Sequence, residues 1–390
     1  MNLKISFSEN EEKFISEEER NFIMRFKCMR SDLSFAVSNV SRAVSAKATI
    51  PALEGVLIKA YHSKLEISGY DLEIGIVTEI EASVIEEGEI VVSARLFNEI
   101  IRKLPEEIVN IETDERMITY INSGSADYQI VGINAAEYPE LPNVEEISSL
   151  TINAELLKNM IRQTVFAVSD NMAKPIYTGS LFDIDGGIFR IVSVDGFRMA
   201  IREENVDSAL STKFVVPGKT QNEILKLITD NKKDVGITVG QRHIVLKIEN
   251  YSIVSRLIEG NFLDYKTTVP KTAATEFVIS TRILASSVDR MALLTSEKIQ
   301  SPVRCSITSD QIKLSCSTTV GRANDVIPAS VIGKDVEIGF NNRYLLDALR
   351  NTDTDEIKVI LNGSLAPMII KPVSGDSFTF LVVPMRLAAE

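Results

Sequence analysis

The sequence predicts an α+β fold: three tandem, similar domains, each with two helices packed on antiparallel sheets. Three observations carry this. A set of motifs returns after 124 residues. Each copy holds two stretches of 3.6-residue apolar periodicity. Between them lie alternating apolar runs bounded by turn residues.

The repeat is read first at its second helix. Asn-Glu-Ile stands at 98–100 in SARLFNEIIRKL (93–104) and again at 222–224 in PGKTQNEILKLI (217–228). NNRYLLDALRNT (341–352) has the same apolar pattern. Asp71 in SGYDLEIGI answers Asp195 in SVDGFRMAI, and Pro51 and Gly55 answer Pro175 and Gly179. Val44-Ser45 answers Val168-Ser169. A weaker third opening, STRILASSVDRMALLTSEKIQSPVRCSI (280–307), echoes the second with a few residues inserted. The period is a whole domain, too long for a solenoid unit. The joins are expected near YPELPNVEE (138–146) and DYKTTVPKTAATE (264–276), where Pro and polar residues cluster.

Within each copy a first helix is expected at 32–46, 153–169 and 281–296. Strands such as KLEISGYDLEIGI and FRIVSVDGFRMAI follow, then the second helix and more strands. DIDGG (183–187) reads as a hairpin turn. It is too short for a calcium-binding EF-hand loop.

Composition narrows the function. The apolar fraction of 45% is that of a packed protein, and no apolar run approaches a membrane span. Residues 1–23 carry six Glu against two Lys and one Arg and lack a signal-peptide core, so a cytoplasmic protein is expected. Cys28, Cys305 and Cys316 have no CxxC spacing, which argues against disulfides and zinc. His62 and His243 are the two histidines, in polar-flanked strand-like stretches. They are poor material for a hydrolase triad or a histidine metal site. No catalytic residue, metal ligand or cofactor is assigned.

The net charge of −12 opposes nucleic-acid binding only if it is evenly spread. On a helix at about 100° per residue, Phe97, Ile100, Ile101 and Leu104 share one side and Arg95 and Arg102 the other. The repeat converts that pair to Lys219 and Lys226, then to Arg343 and Arg350. The first helices add Arg42 and Lys47, Lys158 and Arg162, Arg282 and Arg290. The segments 32–47, 94–104, 153–169, 218–233, 281–298 and 341–350 together carry +8, so the remainder carries −20. Any solvated helix face carries Lys and Arg, but a basic pair repeated at one spacing in three domains is harder to explain that way. If the six helices line one surface, they would meet phosphates without reading sequence, inside an acidic exterior.

Two features mislead. PGKT (217–220) ends like a phosphate-binding loop, but the Gly needed five positions before Gly218 is Lys213. Asp71 and Asp195 follow strands at matched positions, so a turn is expected and not acid–base chemistry.

IPALEGVLIKA, LEISGYDLEIGI, VSVDGFRMA, SRLIEGNFLDYKTTVPK, VEIGFNNRYLLDAL and the closing VVPMRL together resemble the bacterial β sliding clamp family, the processivity subunit of DNA polymerase III. The resemblance covers nearly everything from Met24 onward. It implies clamp domains at 24–147, 148–272 and 273–390, and a head-to-tail homodimer forming a six-domain ring around duplex DNA. It also implies a protein without enzymatic activity. Its partners would be the DNA polymerase III catalytic subunit, an ATP-driven clamp loader, repair polymerases and mismatch-repair proteins, with no membrane. For DNA contact it points to Lys47, Arg95, Lys174, Lys219, Asn341 and Tyr344; the repeat adds Arg102, Lys226, Arg343 and Arg350.

The same resemblance explains the apolar C-terminal end, FTFLVVPMRLAAE, as the wall of a pocket for short motifs in which a Gln is followed by Leu and Phe. The wall residues implied are Tyr177, Val194, Gly196, Phe197, Arg198 and Met199. Leu263, Thr267 and Thr268 follow, then Leu365 and Pro367, and finally Val382, Val383, Pro384, Met385, Arg386 and Leu387. A core strand at 380–387 is the plain alternative. The subunit joint is expected to bring Tyr128 and Ile130 of one chain to Leu293 and Leu294 of the other.

Several positions depart from the family pattern. Leu263 replaces a usual Pro, Thr267 a frequent basic residue, and Phe197 a common His. Ala388-Ala389-Glu390 extend the end. Residues 1–23 precede the family's first strand and are expected as an upstream start, a disordered acidic arm or a true addition. The rival reading is a tandem-domain protein-binding scaffold that does not hold DNA. An enzyme, resting on PGKT and scattered acids, comes third.

Overall fold

The sequence repeat is a repeated order of elements. The computed structural model describes residues 21–295 and 301–387. In the first third, β1 (Phe22–Met29) leads into α1 (Arg30–Val40). Then come β2 (Gly55–Tyr61), β3 (Lys64–Tyr70), β4 (Ile74–Glu81), β5 (Ser83–Glu86) and β6 (Gly88–Ser93). α2 (Ala94–Lys103) follows, then β7 (Ile108–Asp114), β8 (Ile118–Ser123) and β9 (Ala126–Val131).

The second third keeps the order. It runs β10 (Ser148–Asn153), α3 (Ala154–Val165), β11 (Gly179–Asp185), β12 (Ile188–Val194), β13 (Arg198–Asn205) and β14 (Thr212–Pro217). It closes with α4 (Gly218–Leu227), β15 (Asp234–Val239), β16 (His243–Ile248) and β17 (Tyr251–Arg256). A single-turn helix, α5 (Tyr265–Thr268), precedes the last third. That third has β18 (Thr275–Ser280), α6 (Thr281–Ala292), β19 (Val303–Ile307), β20 (Gln311–Thr318), β21 (Gly321–Pro328), β22 (Val331–Gly333) and β23 (Val336–Phe340). It ends with α7 (Asn342–Arg350), β24 (Glu356–Leu361), β25 (Met368–Pro372) and β26 (Phe378–Val382). Where Pro51 and Pro175 match in the repeat, a short 3-10 turn runs into Gly55 and Gly179 at the head of a strand.

The described chain divides into two compact units. One reaches to Leu141 and includes Asn250–Ser252; the other holds Pro142–Glu249 and the residues from Ile253 on. In the first unit the sheet β5-β1-β7-β8-β9 is antiparallel, and β4-β3-β2-β6 run side by side in that order. In the second unit one nine-stranded sheet, β14-β11-β12-β13-β26-β25-β24-β18-β22, joins the second and third repeats through β13 and β26. β21-β20-β19-β23 form a separate sheet.

Three helix ends fall short of expectation. The apolar periodicity runs through Val44, but α1 stops at Val40, and Ser41–Ala43 tighten into a 3-10 turn. α3 ends at Val165, and Ser169 donates its amide to the Tyr177 carbonyl at 2.8 Å, drawing the chain off the helix axis. α6 ends at Ala292. α4 also stops short of the segment counted to 233. The Glu249 carboxylate takes the amides of Thr229 (3.2 Å) and Asp230 (3.1 Å) and so ties down the chain beyond the helix.

DIDGG forms the expected two-residue hairpin between β11 and β12. Gly186 and Gly187 have φ of 59° and 78°, which residues with a side chain rarely adopt. Asp183 is not in that turn but in β11, fully buried. Of the expected extension 1–23, residues 1–20 lie outside the described residues, and Phe22 and Ile23 instead open β1; the end of the third repeat's first helix at 296 and Ala388-Ala389-Glu390 also lie outside them.

Candidate docking pocket and basic helix faces

The second helix of each repeat is amphipathic with a basic outer side. On α2, Phe97, Ile100 and Ile101 are buried, as is Leu104 just beyond, while Arg95 and Arg102 are exposed. Lys219 and Lys226 on α4, and Arg343 and Arg350 on α7, are likewise exposed. Several of these cations have an acidic neighbour. Arg95 lies 3.3 Å from Glu99, Lys226 lies 2.7 Å from Glu223, and Arg350 lies 3.0 Å from Asp289. The two arginine pairs are exposed on both sides and worth little, so those guanidinium groups stay available to a stronger anion, whereas Glu223 is buried and holds Lys226 more firmly.

The first helices contribute unevenly. Arg162 and Arg282 are exposed, Arg290 pairs with Asp325, and the Lys158 ammonium is spent on the Ile228 carbonyl at 3.1 Å. Lys47 is exposed in the loop that follows α1, and Lys174 is exposed with its ammonium 6.0 Å above the Tyr177 ring. Asn341 is occupied as the cap of α7, its side-chain oxygen accepting the Arg343 amide at 3.0 Å. Tyr344 is half-buried against Phe197.

Four of the expected wall residues meet in one apolar cluster. Val194 and Met199 are buried beside Leu381, and Tyr177 and Leu263 pack against them half-covered. Phe262 meets Tyr177 edge to face at 5.5 Å. Thr267 and Thr268 are exposed, and both hydroxyls donate to the Asp264 carbonyl at 3.0 Å. This turn is held from below. The Tyr265 hydroxyl donates to the buried Asp183 at 2.7 Å, and Lys213 approaches the same carboxylate at 3.3 Å. Burial, and then this carboxylate, push the Tyr265 phenol well above its ordinary range.

The closing segment has two parts. β26 is a core strand with all five residues buried, paired with β13 and β25. Val382 belongs to the layer of Phe378 and Phe380, away from Leu381 and the cluster just described. Beyond it the chain leaves the core. Val383 donates to the Phe197 carbonyl at 2.8 Å and is exposed, while Pro384 and Met385 are half-buried and Arg386 is exposed. Met385 then bridges to Gly339 of β23 at 2.8 Å. A Cβ at Gly339 would sit 2.6 Å from Leu387 and 3.0 Å from the Met385 carbonyl, so glycine is what lets the tail lie this close. Leu365 is 80% exposed and Pro367 half-buried. Gly196 has φ of 93° with open space beside it.

Arg198, another residue assigned to the wall, is held by partners from two repeats. It is buried and donates to Asp195 at 2.9 Å and to Asp347 at 2.5 Å. Its guanidinium lies 4.7 Å from the Tyr344 ring centroid and 5.5 Å from that of Phe166. Phe197 is 57% exposed and stacks on Tyr344 at 5.7 Å. Sequence reasoning missed Asp347, Phe166 and the Gln163 amide that donates to Asn351 at 3.1 Å. All lie far along the chain from their partners, and no local pattern marks them.

The decoys resolve locally. Asp71 accepts the amides of Glu73 (2.9 Å) and Ile74 (2.8 Å), and Asp195 those of Phe197 (2.8 Å) and Arg198 (3.0 Å), the same side-chain turn in both repeats. PGKT opens α4, and Thr220 is buried in hydroxyl contact with Ser255 at 2.6 Å. Burial, Arg256 and Arg242 lower the pKa of His243, while His62 is exposed. Among the described residues no helix is long and apolar enough to cross a membrane.

Among the described residues β9 is an edge strand of its sheet, with Tyr128 exposed and Ile130 buried. Among the described residues β21 is an edge of the four-stranded sheet; half-buried Leu294 lies beside its Gly321, and the preceding Leu293 is 84% exposed.

The comparisons with known proteins agree with one another. The chain matches the DNA polymerase III beta subunit in its N-terminal domain at 24–142, its central domain at 151–264 and its C-terminal domain at 266–386. It is 34% identical over 376 residues to the beta sliding clamp of Bacillus subtilis, covering 93% of this chain and 100% of that one. The crystal structure of the Bacillus subtilis DNA polymerase sliding clamp superposes with a TM-score of 0.91 at 33% identity, covering 94% of this chain and 100% of that one. A putative DNA polymerase III beta subunit from Eubacterium rectale gives 0.90 at 36% identity, covering 93% and 99%.

Proposed function

The chain belongs to the DNA polymerase III beta subunit family, and from that premise we propose that it is a sliding clamp. It encircles duplex DNA without reading sequence and tethers the replicative polymerase during DNA replication. It works in the cytoplasm as a tether and not as an enzyme. Three clamp domains, 24–147, 148–272 and 273–390, make up each chain, and two chains close head to tail into a ring. The closure uses β9 with Tyr128 from one chain and the region of Leu293 and Leu294 from the other. Free sheet edges of this kind pair by backbone hydrogen bonds.

The observation that carries the DNA-holding reading is the exposed basic pair at matched turns of α2, α4 and α7, each opposite the face its helix buries. Lys and Arg placed on phosphates give weak, salt-dependent and sequence-independent attachment, which permits sliding. Lys47, Lys174, Asn341 and Tyr344 flank these helices in the proposed contact. Partner proteins — the polymerase catalytic subunit, the clamp loader, repair polymerases and mismatch-repair proteins — dock linear motifs in the apolar groove of Tyr177, Val194, Met199 and Leu263 beside the tail. Such a groove with an adaptable Met accepts several peptides.

The test is retention on nicked circular DNA after loading, for the parent and for Arg95→Glu combined with Lys219→Glu. Several-fold faster loss by the variant supports the clamp. Equal retention with intact motif binding would leave a protein-docking scaffold.

A further inference from the structure

We propose that the outer sheet face next to the docking groove is an electrostatic annex that binds an acidic segment flanking a partner's docking motif. This rests on the docking reading above and adds a partner class to it.

The annex is a groove of about 380 Å³. Its apolar lining is Val269, Pro270, Ile360 and Ile369, and its basic groups are Lys266, Lys271 and Lys371. It adjoins the docking wall through one stretch of chain: Leu263, Thr267 and Thr268 are assigned to the wall, while Lys266, Val269, Pro270 and Lys271 from the same stretch line the annex.

The charge of the annex opposes that of the chain, which carries −12 overall. Among the described residues, Lys271 has no carboxylate at ion-pair distance. Lys266 has Asp183 at 4.0 Å, a buried carboxylate already shared with Lys213 at 3.3 Å. Lys371 has one exposed partner, Asp376, at 3.0 Å. Three ammonium groups over an apolar floor suit an extended peptide with carboxylates and an occasional apolar side chain. A partner motif seated beside Tyr177 and Leu263 would lay its flank over the exposed stretch from Lys266 toward Lys271. The lysines would then favour acidic flanks among motifs of equal core.

The experiment is fluorescence anisotropy with three labelled peptides sharing one Gln-Leu-Phe-type core. One has neutral flanks; the others carry three Glu about six residues before or after the core. Each is titrated with the full chain and with Lys271→Glu, at low salt and at about 0.5 M salt. One acidic peptide should bind about fivefold tighter than the neutral one at low salt, an advantage that vanishes in the variant and in high salt. The neutral peptide should bind parent and variant alike, which shows that the variant is folded. Equal binding of all three peptides overturns the annex and leaves the docking groove standing. No binding by any peptide overturns both.

Discussion

Arg198 at the start of β13 and Asp347 in α7 meet at 2.5 Å, and this contact ties the second repeat to the third. The same guanidinium holds Asp195, which shapes the turn carrying Phe197. Arg198→Ala would leave two carboxylates without their cation and would uncover Phe166 and Tyr344. Breaking a largely buried pair of this kind costs about 3 kcal/mol or more. Urea unfolding should show that loss. Arg198→Lys should recover little of it, because a single ammonium cannot serve both carboxylates and stack on an aromatic ring. A cost below about 0.5 kcal/mol, the range of an ordinary surface change, would mean the contact does not hold the repeats together.

The two-part tail predicts where truncation separates docking from folding. A chain stopped after Phe380 loses Leu381 and Val382 from the middle of the nine-stranded sheet, and it should unfold or aggregate. A chain stopped after Val383 keeps β26 and its bond to Phe197, but loses the Met385 bridge to Gly339. It should keep a near-parental melting temperature while binding a Gln-Leu-Phe-type peptide at least about tenfold more weakly, a loss of about 1.4 kcal/mol. Parental peptide affinity in this shorter chain would remove residues 384–387 from the docking wall.

What could be read beforehand follows from the range of the forces involved. α2 announces itself because Phe97, Ile100 and Ile101 recur at helical spacing and the repeat shows the pattern three times. The Asp71 and Asp195 turns are equally local, each closed within three residues. Helix ends were over-extended because Val44 and Val168 keep the apolar rhythm after the backbone has left the helix. Arg198 and Asp183 are buried groups with partners 149 and 82 residues away. No periodicity reports a contact of that separation. The capping bond of Asn341 is hidden for a simpler reason: in sequence nothing separates a capping amide from any other exposed one.

Asp114 should make the stability of the first unit depend on pH. Burial pushes its carboxyl up, but the amides of Ile118 and Arg116, the Arg116 guanidinium and the Tyr120 hydroxyl together hold it below its ordinary value. A folded-state pKa below the unfolded one means stability that is present above about pH 3.9 and lost as pH falls through the folded value. Asp114→Asn should therefore cost about 1–3 kcal/mol at pH 7, and the gap from the parent should close below about pH 4. A gap that persists unchanged into acid would show that geometry, and not ionisation, is what Asp114 supplies.

The three cysteines should be inert in the native chain. Cys28, Cys305 and Cys316 are all buried. Burial, with Asp32 adding to it for Cys28, pushes the thiols of Cys28 and Cys305 up to about 12, and burial raises Cys316 as well. Little thiolate is then present at pH 8, and thiolate is the reactive form. A maleimide should label none of the three within minutes in buffer and all three in denaturant. Rapid native labelling at one site would reveal local opening there.

The acidic neighbours of the helix cations give the DNA-holding proposal a test with the opposite sign to charge reversal. Glu99 is exposed 3.3 Å from Arg95, and Asp289 is exposed 3.0 Å from Arg350. Each places a negative charge where a phosphate is expected. Glu99→Gln with Asp289→Asn should leave folding unchanged within about 0.5 kcal/mol, since exposed pairs contribute little. Binding to a short linear duplex at low salt should tighten a few-fold, with a log–log salt slope equal to or steeper than the parent's, because each phosphate held by a cation adds about 0.9 to it. Two neutralisations that raise DNA affinity on a folded chain would be difficult to explain by any general damage to the protein. Unchanged affinity would mean that Arg95 and Arg350 do not face the duplex, and the contact would then have to lie with Lys219, Lys226 and Arg343.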